Sequence, residues 1–116
     1  MPRAKRVVLE KMIRYCDDAV KYARGLSYEA FAENELYLTF SVFSLSQLGE
    51  LANRLDSDFY QRYPDIPWLA LRGIRNRIVH DYEGVQFRVL WDVITRDIPL
   101  LRGQLSAMIV GMEENE

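Results

Sequence analysis

A chain of 116 residues has the usual size of one domain and is long enough to bury one hydrophobic core. Hydrophobic residues at 49% and charged residues at 28% are typical of a globular protein in water and exclude a disordered or membrane-embedded chain. The formal net charge of −2 gives no overall field that would attract a polyanion, so any nucleic acid must be bound locally. We therefore predict a single domain over residues 1–116.

The sequence also predicts where the protein resides. Its longest apolar stretch, residues 36–55, is interrupted by serine, glutamine, glutamate, asparagine and arginine and cannot cross a bilayer. The basic N-terminus leads into Glu10 and Lys11 without the apolar run of a secretory signal. Cys16 is the only cysteine, which excludes an internal disulfide. We expect a cytoplasmic protein that does not contact a membrane.

The first predicted helix runs from about residue 5 to residue 24. Apolar residues recur along it at three- and four-residue steps and define one stripe, made of Leu9, Met12, Ile13, Cys16, Val20 and Ala23. A cysteine in such a stripe is expected to be a packed and unreactive thiol, because apolar burial raises a thiol pKa. Gly25 should end this helix, and Ser27 can cap a short turn after it.

The second predicted helix, residues 34–55, is apolar on two sides, so two different surfaces must cover it. One side consists of Leu36, Phe40, Phe43 and Leu51, and the other of Leu38, Val42, Leu45, Gly49 and Ala52. Gly49 and Ala52 would let another backbone come close. The first side becomes polar at Gln47, Glu50 and Arg54, which is expected either where a helix reaches solvent or where it borders a site.

The rest of the chain also has helical patterns, and no segment shows the alternation of a strand. Residues 56–67 form a turn-rich connection, Pro67 can begin a third helix that ends near residue 80, and residues 86–112 are helical again. Pro99 should kink that last segment or start a new helix after an Asp97 cap. Its predicted inward residues are Val89, Leu90, Val93, Leu100, Leu101 and Leu105. The predicted fold is an all-α, up-and-down bundle of four to five helices.

The third helix carries the residues best suited to chemistry. Leu71, Ile74 and Ile78 should form its core face, whereas Asn76 and His80, four residues apart, project together elsewhere. Gly73 and Leu69 share the side of Asn76 and His80. A glycine inside a helix costs roughly 1 kcal/mol relative to alanine, so its presence suggests that another backbone or a ligand approaches there.

Three arginines, Arg72, Arg75 and Arg77, lie within six residues of this helix. Arginine binds phosphate with two parallel hydrogen bonds, which favours a phosphate site. A solvated helix face is the alternative explanation for a cluster of charges.

His80 is the only histidine in the chain. A lone histidine is commonly structural, but the neighbours of this one are arginines, an asparagine and a tyrosine. It also lies at the predicted C-terminus of the third helix, where the helix dipole favours the protonated imidazole. RNA cleavage by acid–base catalysis requires a base for the 2′-hydroxyl and an acid for the 5′-oxygen, and a two-fold dimer would supply two copies of His80. Metal-ion catalysis is the weaker alternative, because no carboxylates cluster near His80.

The segment 73–82, G-I-R-N-R-I-V-H-D-Y, resembles the signature of the HEPN superfamily: an arginine followed by asparagine, then a histidine and, two residues later, a tyrosine. Residues 48–55 resemble the G-E-x-A-N-R-L stretch of its HepT-like toxin branch. Further matches occur at residues 64–68, at Gly84 and Val85, and at Leu90 and Trp91, so the resemblance covers roughly residues 45–101.

This resemblance implies a HEPN-like homodimer with metal-independent endoribonuclease activity and no cofactor. Arg75 and His80 of both chains would be catalytic, supported by Asn76, Glu50 and Arg72. In such type VII-like toxin–antitoxin pairs the partner is a minimal nucleotidyltransferase antitoxin, which would transfer AMP from ATP onto the tyrosine after the histidine, here Tyr82. The added phosphate would oppose RNA binding by bulk and by like charge.

Three functions are compatible with these residues. The leading hypothesis is an RNA-cleaving enzyme that binds neither DNA nor a membrane. The second is a catalytically silent HEPN module that binds a nucleotidyltransferase or a nucleotide, and the third is a purely structural helical dimer. The net negative charge favours the binding module, whereas the complete set of Arg75, Asn76, His80 and Tyr82 favours the enzyme.

Overall fold

The computed structural model describes residues 3–74 and 87–114, and these residues form helices joined by turns. The helices are α1 (Arg3–Lys21), α2 (Tyr28–Glu33), α3 (Glu35–Ala52), α4 (Ser57–Arg62), α5 (residues 68–74), α6 (Phe87–Asp92), a π-helical turn (Val93–Asp97) and α7 (Ile98–Glu114). Within these two ranges no residue is in a strand, so the predicted all-α class is confirmed. None of the helices in this part of the chain is both long and apolar enough to cross a membrane.

The core forms where α1 packs against α3 and α7. The buried side of α1 is the predicted apolar stripe, with Leu9, Met12 and Cys16 fully buried and Ala19 beside them. Burial raises the pKa of the Cys16 thiol to about 12, so the thiol stays protonated at neutral pH. The prediction that Cys16 is a packed and unreactive residue is confirmed.

Side-chain caps fix the starts of three helices, as residue type predicts. The Ser27 hydroxyl accepts a hydrogen bond from the Ala30 N–H at 3.1 Å, and Asn34 accepts one from the Tyr37 N–H at 3.1 Å. Asp56 accepts one from the Phe59 N–H at 2.9 Å and begins α4. α4 is the helical turn expected within the connection 56–67.

Pro99 is accommodated without ending the helix. A proline lacks the N–H of a helical residue, and its ring clashes with the carbonyl four residues earlier. The chain meets this constraint with the π-helical turn Val93–Asp97, in which the Ile98 N–H bonds to the carbonyl of Val93, five residues back. Because the helical path runs on from α6 into α7, the predicted Asp97 cap is wrong.

On the inward side of α7 one predicted residue is wrong, and the buried Ile98, Met108 and Met112 were missed. Leu101 and Leu105 are buried, whereas Leu100 is 67% exposed and does not contribute to the core. The prediction assigned every leucine to the interior. At about 100° per residue, however, Leu100 and Leu101 cannot both lie at the centre of the buried face.

Candidate functional site

The carboxyl half of α3 lies directly against α5, and Gly49 makes this approach possible. A Cβ atom built on Gly49 would lie 2.7 Å from the carbonyl oxygen of Leu71 and 2.9 Å from Cγ2 of Ile74. These distances are too short for any side chain, so only glycine fits. Gly49 does admit another backbone, as predicted, but that backbone is α5 of the same chain. Ala52, predicted on the same side, is also buried, so this side of the helix packs within the bundle.

This contact brings the part of α3 that carries Glu50 against α5. Glu50 follows Gly49 and is exposed on α3. Arg75, the first residue of the motif, follows Ile74 in sequence. The α3–α5 contact therefore joins the segment that carries Glu50 to the segment that leads into the motif.

Arg72 is held in place by two neighbours. Its Nε–H donates a hydrogen bond of 2.8 Å to Oδ1 of Asn53, the residue that follows α3. Its guanidinium carbon lies 5.9 Å from the centre of the Tyr60 ring, within the range of a cation–π interaction. A guanidinium has five N–H donors, and the bond to Asn53 uses one of them. Arg72 is exposed, so it can bind an anion such as a phosphate from a defined position.

Tyr60, which contacts Arg72, belongs to a stacked aromatic pair. Tyr60 stacks on Trp68 with ring centres 4.9 Å apart and planes inclined by 20°. The Tyr60 hydroxyl donates to the carbonyl of Ala52, and the indole N–H of Trp68 donates to the carbonyl of Tyr63 at 2.9 Å. Burial is the main cause that raises the pKa of Tyr60, so its hydroxyl remains a donor at neutral pH. The pair thereby connects the end of α3 to α4 and α5.

Of the predicted site residues, Glu50 and Arg72 are described by the structure and lie on α3 and α5. Arg75, Asn76, His80 and Tyr82 lie outside the described residues, as does Ile78 of the predicted core face. Asn53 was missed as the residue that orients Arg72. The available signal was its position inside the stretch 48–55, which carried part of the family resemblance.

Exposed apolar residues also lie on α3 and α5. Leu69 on α5 is 79% exposed, and a Cβ on Gly73, one turn later, would meet no atom within 4 Å. On α3, Leu36 and Phe43 are exposed, as expected for the second apolar side of that helix. Leu51, predicted on the same side, is instead buried. Large exposed apolar residues commonly mark an interaction surface.

An all-helical bundle in which one helix leads into an arginine–asparagine and histidine–tyrosine motif defines a class of small helical nucleases. Comparison with known families assigns the chain more narrowly. It matches the family described as "Ribonuclease HepT-like" over residues 12–108, and the chain belongs to this family. The match extends from the middle of α1 to α7 and includes the motif.

Several relatives have nearly the same length as this chain. It is 28% identical over 107 residues to a protein of Caldanaerobacter subterraneus subsp. tengcongensis named "Putative RNase", covering 92% of this chain and 96% of that protein. It is 28% identical over 108 residues to the "Probable ribonuclease HepT" of Thermococcus cleftensis, covering 93% and 98%. A "Putative RNase" of Methanocaldococcus jannaschii is 27% identical over 109 residues, covering 94% of each. No solved structure matches the chain.

Proposed function

We propose that this protein is a metal-independent endoribonuclease toxin that cleaves RNA in a cleft between two copies of the chain. Arg75 and His80 carry the reaction, and Asn76, Glu50 and Arg72 support it. A minimal nucleotidyltransferase antitoxin silences the toxin by transferring AMP onto Tyr82. The observation that carries this proposal is the complete motif of residues 75–82 within a chain of the HepT-like ribonuclease family.

The reaction needs two proton transfers. His80 of one subunit accepts the proton of the 2′-hydroxyl, whose oxygen attacks the phosphorus. His80 of the other subunit donates a proton to the departing 5′-oxygen, which leaves a 2′,3′-cyclic phosphate and a 5′-hydroxyl. Arg75 stabilises the charge that accumulates on the phosphorane oxygens, and a guanidinium suits this role because it stays protonated and binds two oxygens at once.

The fixed position of Arg72 supports an RNA-binding role. The net charge of the chain is negative, so the local arginines must supply the attraction for phosphate. Asn53 and Tyr60 hold the Arg72 guanidinium one residue before Gly73, at the start of the motif segment. We expect Arg72 to bind a phosphate next to the scissile one. Its loss should therefore weaken RNA binding more than it slows the chemical step.

The exposed apolar residues support the two-fold cleft. Leu36 on α3 and Leu69 on α5 are 73% and 79% exposed, Phe43 is 52% exposed although its edge meets the Tyr15 ring, and Gly73 leaves room for a second backbone among the described residues. Burying such residues is favourable by roughly 1.5–3 kcal/mol for each large side chain. A homodimer through these surfaces would cover them and bring two copies of the motif together.

The activity is tested with purified protein, free of any partner, on single-stranded RNAs of varied sequence in the presence of EDTA. We expect cleavage by the wild type and a loss of at least about 100-fold in Arg75→Ala and in His80→Ala. Arg14→Ala, which removes an exposed arginine of α1, is the matched control and should cleave normally. Intact RNA after incubation with the wild type would favour the silent binding module instead.

Silencing is tested by incubating the chain with ATP, magnesium and the cognate nucleotidyltransferase and mapping AMP by mass spectrometry. The tyrosine hydroxyl attacks the α-phosphorus of ATP, pyrophosphate leaves, and the tyrosine gains one AMP. We expect modification at Tyr82 and none in Tyr82→Phe, which should stay active beside the partner. AMP confined to another residue, or full silencing of Tyr82→Phe, would refute this assignment.

A further inference from the structure

The outer face of α7 is apolar along most of its length. At about 100° per residue, Leu100, Gly103, Ala107 and Val110 fall within about 80° of one another, opposite the buried Leu101 and Leu105. Leu100 is 67% exposed and Val110 is 50% exposed, so the face includes two large side chains exposed to water in addition to the small Gly103 and Ala107. This outer face of α7 spans about 15 Å from residue 100 to residue 110.

No residue that the structure describes accounts for the glycine at the centre of this face. A Cβ on Gly103 would meet no atom within 4 Å, yet a glycine inside a helix costs roughly 1 kcal/mol relative to alanine. Ala107 lies one turn further along, and two small residues four apart allow two helices to approach closely. The composition of the face therefore suits a second helix packed along it.

The face is complementary to itself when two copies run antiparallel. Reversal about position 105 aligns Leu100 with Val110 and Gly103 with Ala107, so each large residue meets a large one and each small residue a small one. The same reversal aligns position 96, an arginine, with position 114, a glutamate. Arg96 is exposed in the π-helical turn, and position 114 is the last residue of α7.

From this juxtaposition we propose that α7 forms a second two-fold interface, in which the α7 helix of another copy of the chain packs antiparallel against it. Two-fold interfaces use the same patch on both subunits and require it to be self-complementary. Positions 96 and 114 carry opposite charges in the sequence, so an antiparallel pair aligns unlike charges whereas a parallel pair aligns like charges. A partner of another sequence would not need a face that is symmetric about its own centre.

This interface goes beyond the proposed cleft, which uses α3 and α5. Two different two-fold interfaces on one chain give a closed tetramer when their axes meet at a right angle and an open chain of dimers when they do not meet. One pair of helices covers less than the roughly 800 Å² per partner of a standard interface, so we expect the α7 contact to dissociate at micromolar concentrations.

The register of the pair is tested by cysteine cross-linking. A Leu100→Cys, Val110→Cys double variant should form an intermolecular disulfide under mild oxidation, because the two positions face each other. In each single variant the introduced cysteine and its copy lie about 15 Å apart along the axis, well beyond the roughly 7 Å limit between bonded Cα atoms. Mixing the two single variants should restore cross-linking between the different chains.

The wild type is the matched background, since its Cys16 is buried with a thiol pKa raised to about 12 and should not react. Cross-linking in the double variant and in the mixture, but in neither single variant alone, supports the proposal. No disulfide in the double variant, or equal amounts in the single variants, overturns it. Both replaced side chains are exposed, and circular dichroism checks that each variant is folded.

Sedimentation separates this contact from the proposed cleft. Leu100→Glu should abolish concentration-dependent growth beyond the cleft dimer and leave EDTA-resistant RNA cleavage unchanged. Val7→Glu, which adds the same charge at an exposed apolar position of α1, should leave assembly unchanged. If Leu100→Glu and the wild type have the same sedimentation coefficient at every concentration up to about 100 times the expected micromolar dissociation constant, the proposal is wrong. Absence of RNA cleavage would count against the proposed function and not against the α7 pair.

Discussion

Gly49 and Gly103 both lie inside helices, but the chain itself explains only the first. Gly49 is where α3 and α5 meet, and the carbonyl of Leu71 occupies the space that a side chain would need. Gly103 faces open space on the outer side of α7, and so does Gly73 on α5. The difference teaches that the packing of the described residues requires glycine at the first position and leaves room for a side chain at the other two.

The largest effect is expected at Gly49. Gly49→Val would force β-branched carbons into the Leu71 carbonyl and separate α3 from α5, so we expect a loss of at least about 3 kcal/mol in the free energy of unfolding. Urea denaturation measures this loss. Gly25→Val is not a suitable control, since Gly25 has a positive φ of 83°. Ala30→Val, at an exposed position, is suitable and should change stability by much less.

The opposite result is expected at the two open glycines. Gly73→Ala and Gly103→Ala should each raise the free energy of unfolding by up to about 1 kcal/mol in dilute protein, because alanine is the better helix former and no atom obstructs its Cβ. Gly73→Ala should also weaken the cleft dimer and slow RNA cleavage, whereas Gly103→Ala should leave cleavage unchanged. A loss of stability in the dilute, monomeric state would show that these glycines serve the single chain after all.

The comparison also clarifies what the sequence could predict. Periodicity, the Ser27 cap and Pro67 identified the longer helices, whereas the caps at Asn34 and Asp56 were not predicted although they also form short local bonds. The residue types around Gly49 indicated that a backbone comes close to it. They could not indicate which backbone, because the partner, α5, is more than 20 residues away in the chain.

Other features depended on geometry that a pattern does not contain. The π-helical turn before Pro99 shifts the phase of the last helix, so Leu100 turns outward although it adjoins the buried Leu101. At the site, residue types identified Arg72, but its orientation depends on Asn53 and on the stacked pair Tyr60 and Trp68. These neighbours come from separate helices and are brought together only by the fold.

A smaller effect on stability is expected at two buried serines in the interior of α3. The hydroxyl oxygens of Ser41 and Ser44 are buried, and neither has a hydrogen-bond partner among the described residues. Burying an unpaired hydroxyl is unfavourable by roughly 1–3 kcal/mol, and alanine also favours the helix. Ser41→Ala and Ser44→Ala should therefore each stabilise the chain by about 0.5–2 kcal/mol in urea denaturation. A clear loss in either variant would indicate that its hydroxyl is satisfied in solution.

The smallest effect concerns Asp56 and depends on pH. The hydrogen bond from the Phe59 N–H, followed by Lys5 at 3.3 Å, lowers the pKa of Asp56 below its ordinary value of 3.8. A folded-state pKa that is lowered gives stability that is present above pH 3.8 and lost as the pH falls through the lowered pKa. Asp56→Asn keeps the cap without the charge, so the wild-type advantage in melting temperature should vanish below that range. A difference that stays constant with pH would exclude this role.

The central claim, that two copies of His80 act in one site, is tested most directly by subunit mixing. Wild-type chains are mixed with increasing amounts of His80→Ala, left to exchange, and assayed for EDTA-resistant RNA cleavage at constant total concentration. If each site needs His80 from both subunits, activity follows the square of the wild-type fraction and falls to about a quarter in an equal mixture. Activity that follows the wild-type fraction linearly, at about half in that mixture, would contradict the account.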